Sequence, residues 1–186
     1  MATGGTELRT ERLLLRGWRE QDRALFAELN GDPFTMRFFP SPLTRAESDA
    51  QVRRIDEGIK ARGWGLWAVE IPGGAPFIGF VGLNPVSFES HFTPAIEVGW
   101  RLHRDHWGNG YATEAAGASL QFAFDELNCD EVVSFTAAIN VPSRRVMERL
   151  GMRHDPADDF DHPRLQPGPI RRHVLYRSSA SDWARR

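Results

Sequence analysis

The chain has 186 residues, a formal net charge of -2 at pH 7, and a composition that is 41% hydrophobic and 26% charged. A chain of this length can bury a core without a disulfide or metal staple, so we expect one domain over residues 1–186. The charge gives no sign of a nucleic-acid-binding surface, and no apolar run is long enough for a membrane span.

The expected location is cytoplasmic. The N-terminal stretch "MATGGTELRT" has neither a basic head nor an apolar segment of the kind found in secretory signals. Cys129 is the single cysteine, so no internal disulfide can form. We expect Cys129 to be a small side chain in the core.

The first half of the chain predicts a mixture of strands and helices. "RLLLRGW" (12–18) is typical of a strand, and "EQDRALFAELN" (20–30) of a helix that ends at Gly31. Thr44 and Glu47 form a capping-box pattern ahead of a second helix. "WGLWAVEI" (64–71) and "FIGFVGL" (77–83) predict two strands joined by a hairpin loop.

The second half repeats strand and helix. "AIEVGWRL" (95–102) alternates apolar and polar residues and predicts a half-buried strand with Gly99 in its middle. A helix is expected over 112–127 and a strand over 132–138. Asn140 is a plausible cap for a further helix that ends at Gly151, and "RRHVLY" (171–176) predicts a late strand.

A glycine-rich stretch, "HWGNGYATEA" (106–115), lies between the strand at 95–102 and the helix that follows. Gly108 and Gly110 permit either a tight turn alone or a loop whose amides converge on an anion at the helix N-terminus. A P-loop is excluded because no lysine is near. A dinucleotide-binding loop fits poorly, since the third glycine is missing and the acidic pair Asp130 and Glu131 precedes the next strand.

Two stretches of the sequence are similar to motifs of a known protein family. "EVGWRLHRDHWGNGYATEA" followed by "NVPSRRVMERLGM" resembles the acyl-CoA-binding core of the GNAT N-acetyltransferases, especially their RimJ/RimL branch. The resemblance extends from "TERLLLRGWREQD" through "GFVGL" to "DDFDHPRL" and "RRHVLYR". It implies a mixed, mostly antiparallel sheet of about seven strands flanked by helices, and transfer of an acetyl group from acetyl-CoA to an amine.

The resemblance also implies a cofactor-binding set. The backbone of Gly108, Asn109, Gly110, Tyr111 and Ala112 would cradle the pyrophosphate of coenzyme A. An amide near the strand end would face the oxyanion, and Asn140 would contact the pantetheine arm. The full expected set is Trp100, Arg101, Leu102, Trp107, Gly108, Asn109, Gly110, Tyr111, Ala112, Thr113, Asn140 and Ser143. Trp107 replaces the Gln or Arg of the broader superfamily, and Glu114 would oppose a bound anion unless it points away.

Two residues are candidates for proton transfer. Glu97 is the carboxylate within the strand at 95–102 and lies opposite its apolar set, which makes it the expected general base, although it could be a surface residue. The tyrosine that protonates the thiolate in many superfamily members is replaced here by Met147. Ser143 is our substitute, with an ordinary role in the first helical turn as its alternative.

For the acceptor we expect contacts from Phe38, Asp161 and His162, and we expect Phe39 to be a core residue. The acids of "DDFDHP" (158–163) would attract an amine cation if they lined the site, although such runs are usually solvated turns. His103 and His106 lack a third ligand, so no metal is expected. The acceptor could be a protein N-terminus or a small amine, and a homodimer is possible. A non-catalytic acyl-CoA-binding module is the alternative, and a nucleotide oxidoreductase is a distant third.

Overall fold

The computed structural model describes residues 5–185 and contains one mixed sheet with helices on both faces. The strands are β1 (Leu8–Arg9), β2 (Leu14–Arg16), β3 (Leu66–Glu70), β4 (Gly79–Pro85), β5 (Ile96–Leu102), β6 (Glu131–Ala137), β7 (Arg153–His154), β8 (Phe160–Asp161) and β9 (Arg172–Ser179). The helices are α1 (Asp22–Gly31), α2 (Arg45–Arg62), α3 (Tyr111–Asp125), α4 (Val141–Arg149) and α5 (Ala180–Trp183).

The strand order is β1-β2-β3-β4-β5-β6-β9-β7, with β8 also paired to β9. Every pair is antiparallel except β5 and β6, which are parallel. The expected mixed, mostly antiparallel sheet flanked by helices is confirmed. The described part of the chain has nine strands, against about seven expected; three of the nine, β1, β7 and β8, are two-residue pairings with no periodic signal in the sequence.

Two hydrophobic layers sandwich the sheet. On one face, α3 packs its alanine-rich side on β4 and β5, with Trp67, Leu83, Val98 and Leu120 fully buried. The other face carries α1 and α2 over a smaller cluster formed by Phe26, Leu29, Val52, Ala68, Phe77 and Phe80. Because successive strand residues point to opposite faces, neighbours such as Trp67 and Ala68 serve different layers.

The helix boundaries follow their capping residues. The predicted capping box forms: the Glu47 amide donates to Thr44 Oγ1 at 3.3 Å, and the Thr44 amide donates to Glu47 Oε2 at 2.8 Å. Asn140 caps α4 by accepting from the Ser143 amide at 3.4 Å. The strand expected over 12–18 is shorter, Leu14–Arg16, and its last residue forms ion pairs with Asp22 and Glu70.

Glycines allow the central strands to pack closely. A Cβ placed on Gly82 would lie 2.1 Å from the backbone oxygen of Gly65, so only glycine fits there. Its cross-strand partner Gly99 has ordinary space, with a hypothetical Cβ 3.7 Å from Glu97 Oε1.

Among residues 5–185, no helix combines the length and apolar character that a bilayer span requires.

Candidate active site

The site begins where β5 and β6 separate. β5 pairs with β4 along all seven of its residues, but with β6 at a single position, Glu97 opposite Val133. Beyond that point the two strands diverge and leave a cleft of about 580 Å³. Its lining includes residues of β5 and β6, the glycine-rich turn, the first turns of α3 and α4, and the loop between α1 and α2.

The divergence frees backbone donors on β5. The Val86 amide donates to the Ala95 oxygen at 2.9 Å. Backbone groups alternate in direction along an antiparallel strand, so the N–H and C=O groups of Glu97, Gly99 and Arg101 also point towards β4. The amides of Trp100 and Leu102 therefore face the cleft edge of β5. The Leu102 oxygen confirms this direction, since it accepts from the Trp107 indole nitrogen at 2.7 Å.

The glycine-rich turn presents a row of unpaired amides. Gly108 and Gly110 have φ values of +79° and +80°, and Gly110 is the cap of α3. The first amide of this region with an intramolecular acceptor is that of Glu114, which donates to the Gly110 oxygen. Within the described residues 5–185, the amides of 108–113 have no hydrogen-bond acceptor. Converging amides at a helix N-terminus form a site for an anion such as a phosphate.

An ion pair from the N-terminal segment holds this turn. Arg12 Nε donates to Glu114 Oε2 at 2.7 Å, and Arg12 Nη1 donates to the Asn109 oxygen at 3.0 Å. Thr10 Oγ1 donates to Glu114 Oε1 at 2.6 Å. Burial acts to raise the pKa of Glu114, but the bonds from Thr10 and Arg12 outweigh it and lower the pKa. The Glu114 charge is thus compensated, which removes the predicted conflict with a bound anion.

Glu97, the predicted general base, lies on β5 and lines the cleft. No side chain of residues 5–185 forms a hydrogen bond or ion pair with its carboxyl group. Burial raises the pKa of Glu97 to about 8. A carboxyl group with a pKa near the working pH can accept a proton and return it, as a general base must.

Ser143 lies across the cleft at the start of α4. Asn140 Nδ2 donates to Ser143 Oγ at 3.1 Å and to Thr136 Oγ1 at 2.8 Å. Since Ser143 Oγ accepts from Asn140, its own O–H remains available to donate into the cleft. Met147 is buried at the cleft wall, one turn further along α4. The geometry thus offers a hydroxyl donor one helical turn from Met147, the position where the resemblance leads one to expect a tyrosine.

Aromatic rings also line the cleft. Phe38 and His162, both predicted to contact the acceptor, line it, as do Phe135 and His173. Burial, together with the charges of His173 and Arg164, lowers the pKa of His162 to about 4. His162 is therefore a neutral ring near neutral pH. Phe39 also lines the cleft and is 37% exposed, so the expectation of a core residue was wrong.

The acids of the 158–163 segment lie elsewhere. Asp161 is not among the lining residues; it is exposed and lies 3.5 Å from Arg171 and 3.6 Å from Arg172. It alternates with buried Phe160 along β8 and so points outward. Asp158 pairs with Arg177, and Asp159 contacts His154. Of this run, the structure brings only His162 into the cleft lining.

The other predicted cofactor residues fall into two groups. Trp100, Arg101, Leu102, Trp107, Gly108, Gly110, Tyr111, Ala112, Thr113, Asn140 and Ser143 all line the cleft. Asn109 turns its side chain back onto the His106 and Trp107 oxygens, leaving its backbone within the turn. Among residues 5–185, no three His, Cys, Asp or Glu side chains cluster as a metal site would need.

Comparison with known proteins decides the family. The family model described as "Acetyltransferase (GNAT) domain" matches residues 12–153. The chain is a GNAT acetyltransferase. It is 33% identical to the uncharacterized protein YkkB of Bacillus subtilis (strain 168) over 80% of this chain and 86% of that protein. It is 31% identical to the FsC-acetyl coenzyme A-N(2)-transacetylase of Aspergillus fumigatus over 96% of this chain and 78% of that enzyme.

Solved structures share the fold. The GNAT-family acetyltransferase from Bacillus anthracis superposes with a TM-score of 0.78 at 24% identity, over 95% of this chain and 99% of that one. Mycobacterium smegmatis RimJ, solved in complex with CoA-disulfide, superposes with a TM-score of 0.71 at 18% identity, over 95% and 87% of the two chains. Similarity at these identities extends to the GNAT fold and not to a particular branch.

Some residues of this GNAT site escaped the sequence analysis. Thr10 and Arg12 contact Glu114 across more than a hundred positions, and Thr136 supports Asn140 from another element. His173 lies in a strand that reads as ordinary core. No local spacing could have found these partners, because strand order and sheet divergence bring them together.

Proposed function

We propose that this GNAT enzyme binds acetyl-CoA in the cleft between β5 and β6 and transfers the acetyl group to a primary amine by direct attack on the thioester. The observation that carries the proposal is the row of unpaired amides at 108–113, at the end of a cleft that is also lined by the half-buried Glu97. The pyrophosphate would accept from these amides, with Arg12 and Glu114 holding the turn in place.

The proposed reaction assigns one group to each requirement. Glu97, directly or through a water molecule, accepts a proton from the attacking amine, whose own pKa is about 8 for an α-amine and about 10.4 for a lysine. The amides of Trp100 and Leu102 face the region where the carbonyl oxygen would develop charge, as an oxyanion hole requires. The Ser143 hydroxyl donates to the departing thiolate.

The acceptor class remains part of the proposal. A protein N-terminal amine and a small-molecule amine both suit a base with the pKa of Glu97, and the RimJ-like branch rests on distant similarity alone. Cytoplasmic location, inferred from the single Cys129, belongs to the same proposal.

Calorimetric titration tests the cofactor and a thiol-release assay tests the reaction. Acetyl-CoA should bind in the micromolar range, and NAD, the control ligand, should give no heat. Release of free CoA with an amine present would separate the enzyme from a non-catalytic acyl-CoA-binding module. Absence of acetyl-CoA binding by folded protein would refute the proposal, and binding without turnover across α-amine and alkylamine acceptors would favour the binding module.

A further inference from the structure

Among the arginines that line the cleft, Arg101 has a buried side-chain nitrogen without a hydrogen-bond partner in the described residues 5–185. Arg101 leaves β5 on the same face as Glu97, and its Nη1 donates to Asn30 Oδ1 at 2.6 Å. The guanidinium carbon lies 4.1 Å from the ring centroid of Phe39 and 5.4 Å from that of Phe80. Asn30 is itself held by a bond to Ser48 at 3.0 Å. The guanidinium is therefore fixed in position at the wall of the cleft.

Its bonding is incomplete. Arg101 Nε is buried without a hydrogen-bond partner, and no carboxylate of residues 5–185 forms an ion pair with the side chain. Burial lowers the pKa of Arg101 to about 10, so the group is still a cation near neutral pH. Arg16, a buried arginine of the same protein, is instead paired with both Asp22 and Glu70. Arg101 as a whole is half-buried, but removing its Nε from water without a partner is costly, and a ligand that supplies the opposite charge would offset that cost.

The cleft as a whole is cationic. Four arginines line it: Arg37, Arg101, Arg145 and Arg149. Glu97 is the one carboxyl group among the described lining residues, and burial favours its neutral form. Arg145 and Arg149 lie on α4, whereas Arg37 stacks on the rings of Phe34 and Phe38. These positive side chains would attract an anionic group on a ligand.

We propose that the Arg101 side chain binds a carboxylate on the acceptor, so that the enzyme acetylates primary amines that also carry an anionic group. This inference rests on the proposed function. Glu97 and Arg101 are four residues apart on one face of an extended strand, which separates their Cα atoms by about 13 Å. The acceptor's amine would lie towards Glu97 and its carboxylate towards Arg101, which favours an elongated molecule over an α-amino acid. The Arg101 backbone keeps its predicted place beside the cofactor.

Matched acceptor pairs test the inference. We would measure kcat/KM for tri-alanine against tri-alanine amide, and for 6-aminohexanoate against 6-aminohexanamide. A charged hydrogen bond predicts that the wild-type enzyme prefers the carboxylate by roughly 10- to 100-fold. In Arg101→Gln this ratio should fall to about 1, and Arg101→Lys should retain part of it. Arg54→Gln removes the same charge from an exposed position on α2, outside the cleft lining, and should keep the wild-type ratio.

The inference is tested by the ratio of kcat/KM for the acid to kcat/KM for the amide, and not by the absolute activity of a variant. Equal rates for acid and amide in the wild type, or an unchanged ratio in Arg101→Gln, would overturn the inference. Weaker acetyl-CoA binding in Arg101→Gln with an unchanged ratio would assign the side chain to a cofactor phosphate and overturn it too. If Arg101→Gln does not fold, a wild-type ratio in Arg101→Lys is the overturning result.

A binding measurement covers acceptors that are not turned over. In the presence of CoA, 6-aminohexanoate should raise the Tm of the wild type more than its amide does, and Arg101→Gln should lose the difference. No difference in the wild type would overturn the inference. Failure of the proposed function is a separate observation, since folded protein would then give no heat with acetyl-CoA.

Discussion

Replacing Glu97 with glutamine should stabilise the protein at alkaline pH. The substitution keeps the shape of the side chain and removes its charge. Burial raises the pKa of Glu97 from its usual 4.5 to about 8 in the folded protein. Between these two values the folded state keeps the proton while the unfolded state loses it. The wild type therefore loses stability as the pH rises through this window, and no further loss follows above pH 8.

The size of the effect follows from the same two values. For each pH unit in this window, the wild type loses at most about 1.4 kcal/mol of its free energy of unfolding. Over the whole window the loss therefore cannot exceed about 5 kcal/mol. Because the carboxyl group faces a cleft that water enters, we expect about 1–2 kcal/mol. The free energy of unfolding of Glu97→Gln should match the wild type near pH 4 and exceed it by this amount at pH 8.5.

Urea denaturation at fixed pH steps, followed by tryptophan fluorescence, measures the difference. Glu126→Gln makes the same chemical change at an exposed site at the end of α3 and supplies the baseline. A difference in the free energy of unfolding between Glu97→Gln and wild type that stays constant from pH 4 to 8.5 would refute the argument that burial raises the pKa of this carboxyl group.

With an accepted substrate, Glu97→Gln should also lower kcat and change the pH–rate profile. An unchanged profile would refute the role of Glu97 as the base.

Four further predictions address the fold and the site. Gly82→Ala should lower the free energy of unfolding by about 3 kcal/mol or more, because the new Cβ would overlap backbone atoms. Replacing its cross-strand partner, Gly99→Ala, should change the free energy of unfolding by less than about 1 kcal/mol, because a Cβ fits there. Equal effects of the two substitutions in urea titrations would contradict the packing argument. Gly110→Ala should cost about 1–2 kcal/mol at its left-handed φ and weaken acetyl-CoA binding measured by calorimetry, and an unchanged Kd would argue against the cradle. Arg12→Ala should weaken acetyl-CoA roughly two- to fivefold, the equivalent of 0.5–1 kcal/mol for a partly exposed pair; full affinity would show that the turn holds itself. Ser143→Ala should lower kcat by roughly tenfold or more with little change in KM for acetyl-CoA, and normal turnover would exclude the hydroxyl as proton donor.

The sequence alone determined the local elements and the spelling of the cofactor site. The capping box at Thr44, the cap at Asn140 and the apolar alternation of β5 predict their elements because hydrogen bonds and side-chain periodicity act over a few residues. The sequence also predicted the glycine turn, because glycine adopts a left-handed φ without steric cost, as Gly108 and Gly110 do.

Tertiary structure alone decided the charges and neighbours of the site. The burial that raises the pKa of Glu97 depends on where β6 leaves β5, and the bonds that neutralise Glu114 come from a segment about a hundred residues away. The acids beside His162 lie outside the cleft lining, where they pair with Arg171, Arg172, Arg177 and His154. Burial and electrostatic partners are set by contacts between distant segments, and the spacing of residues along a chain does not encode them.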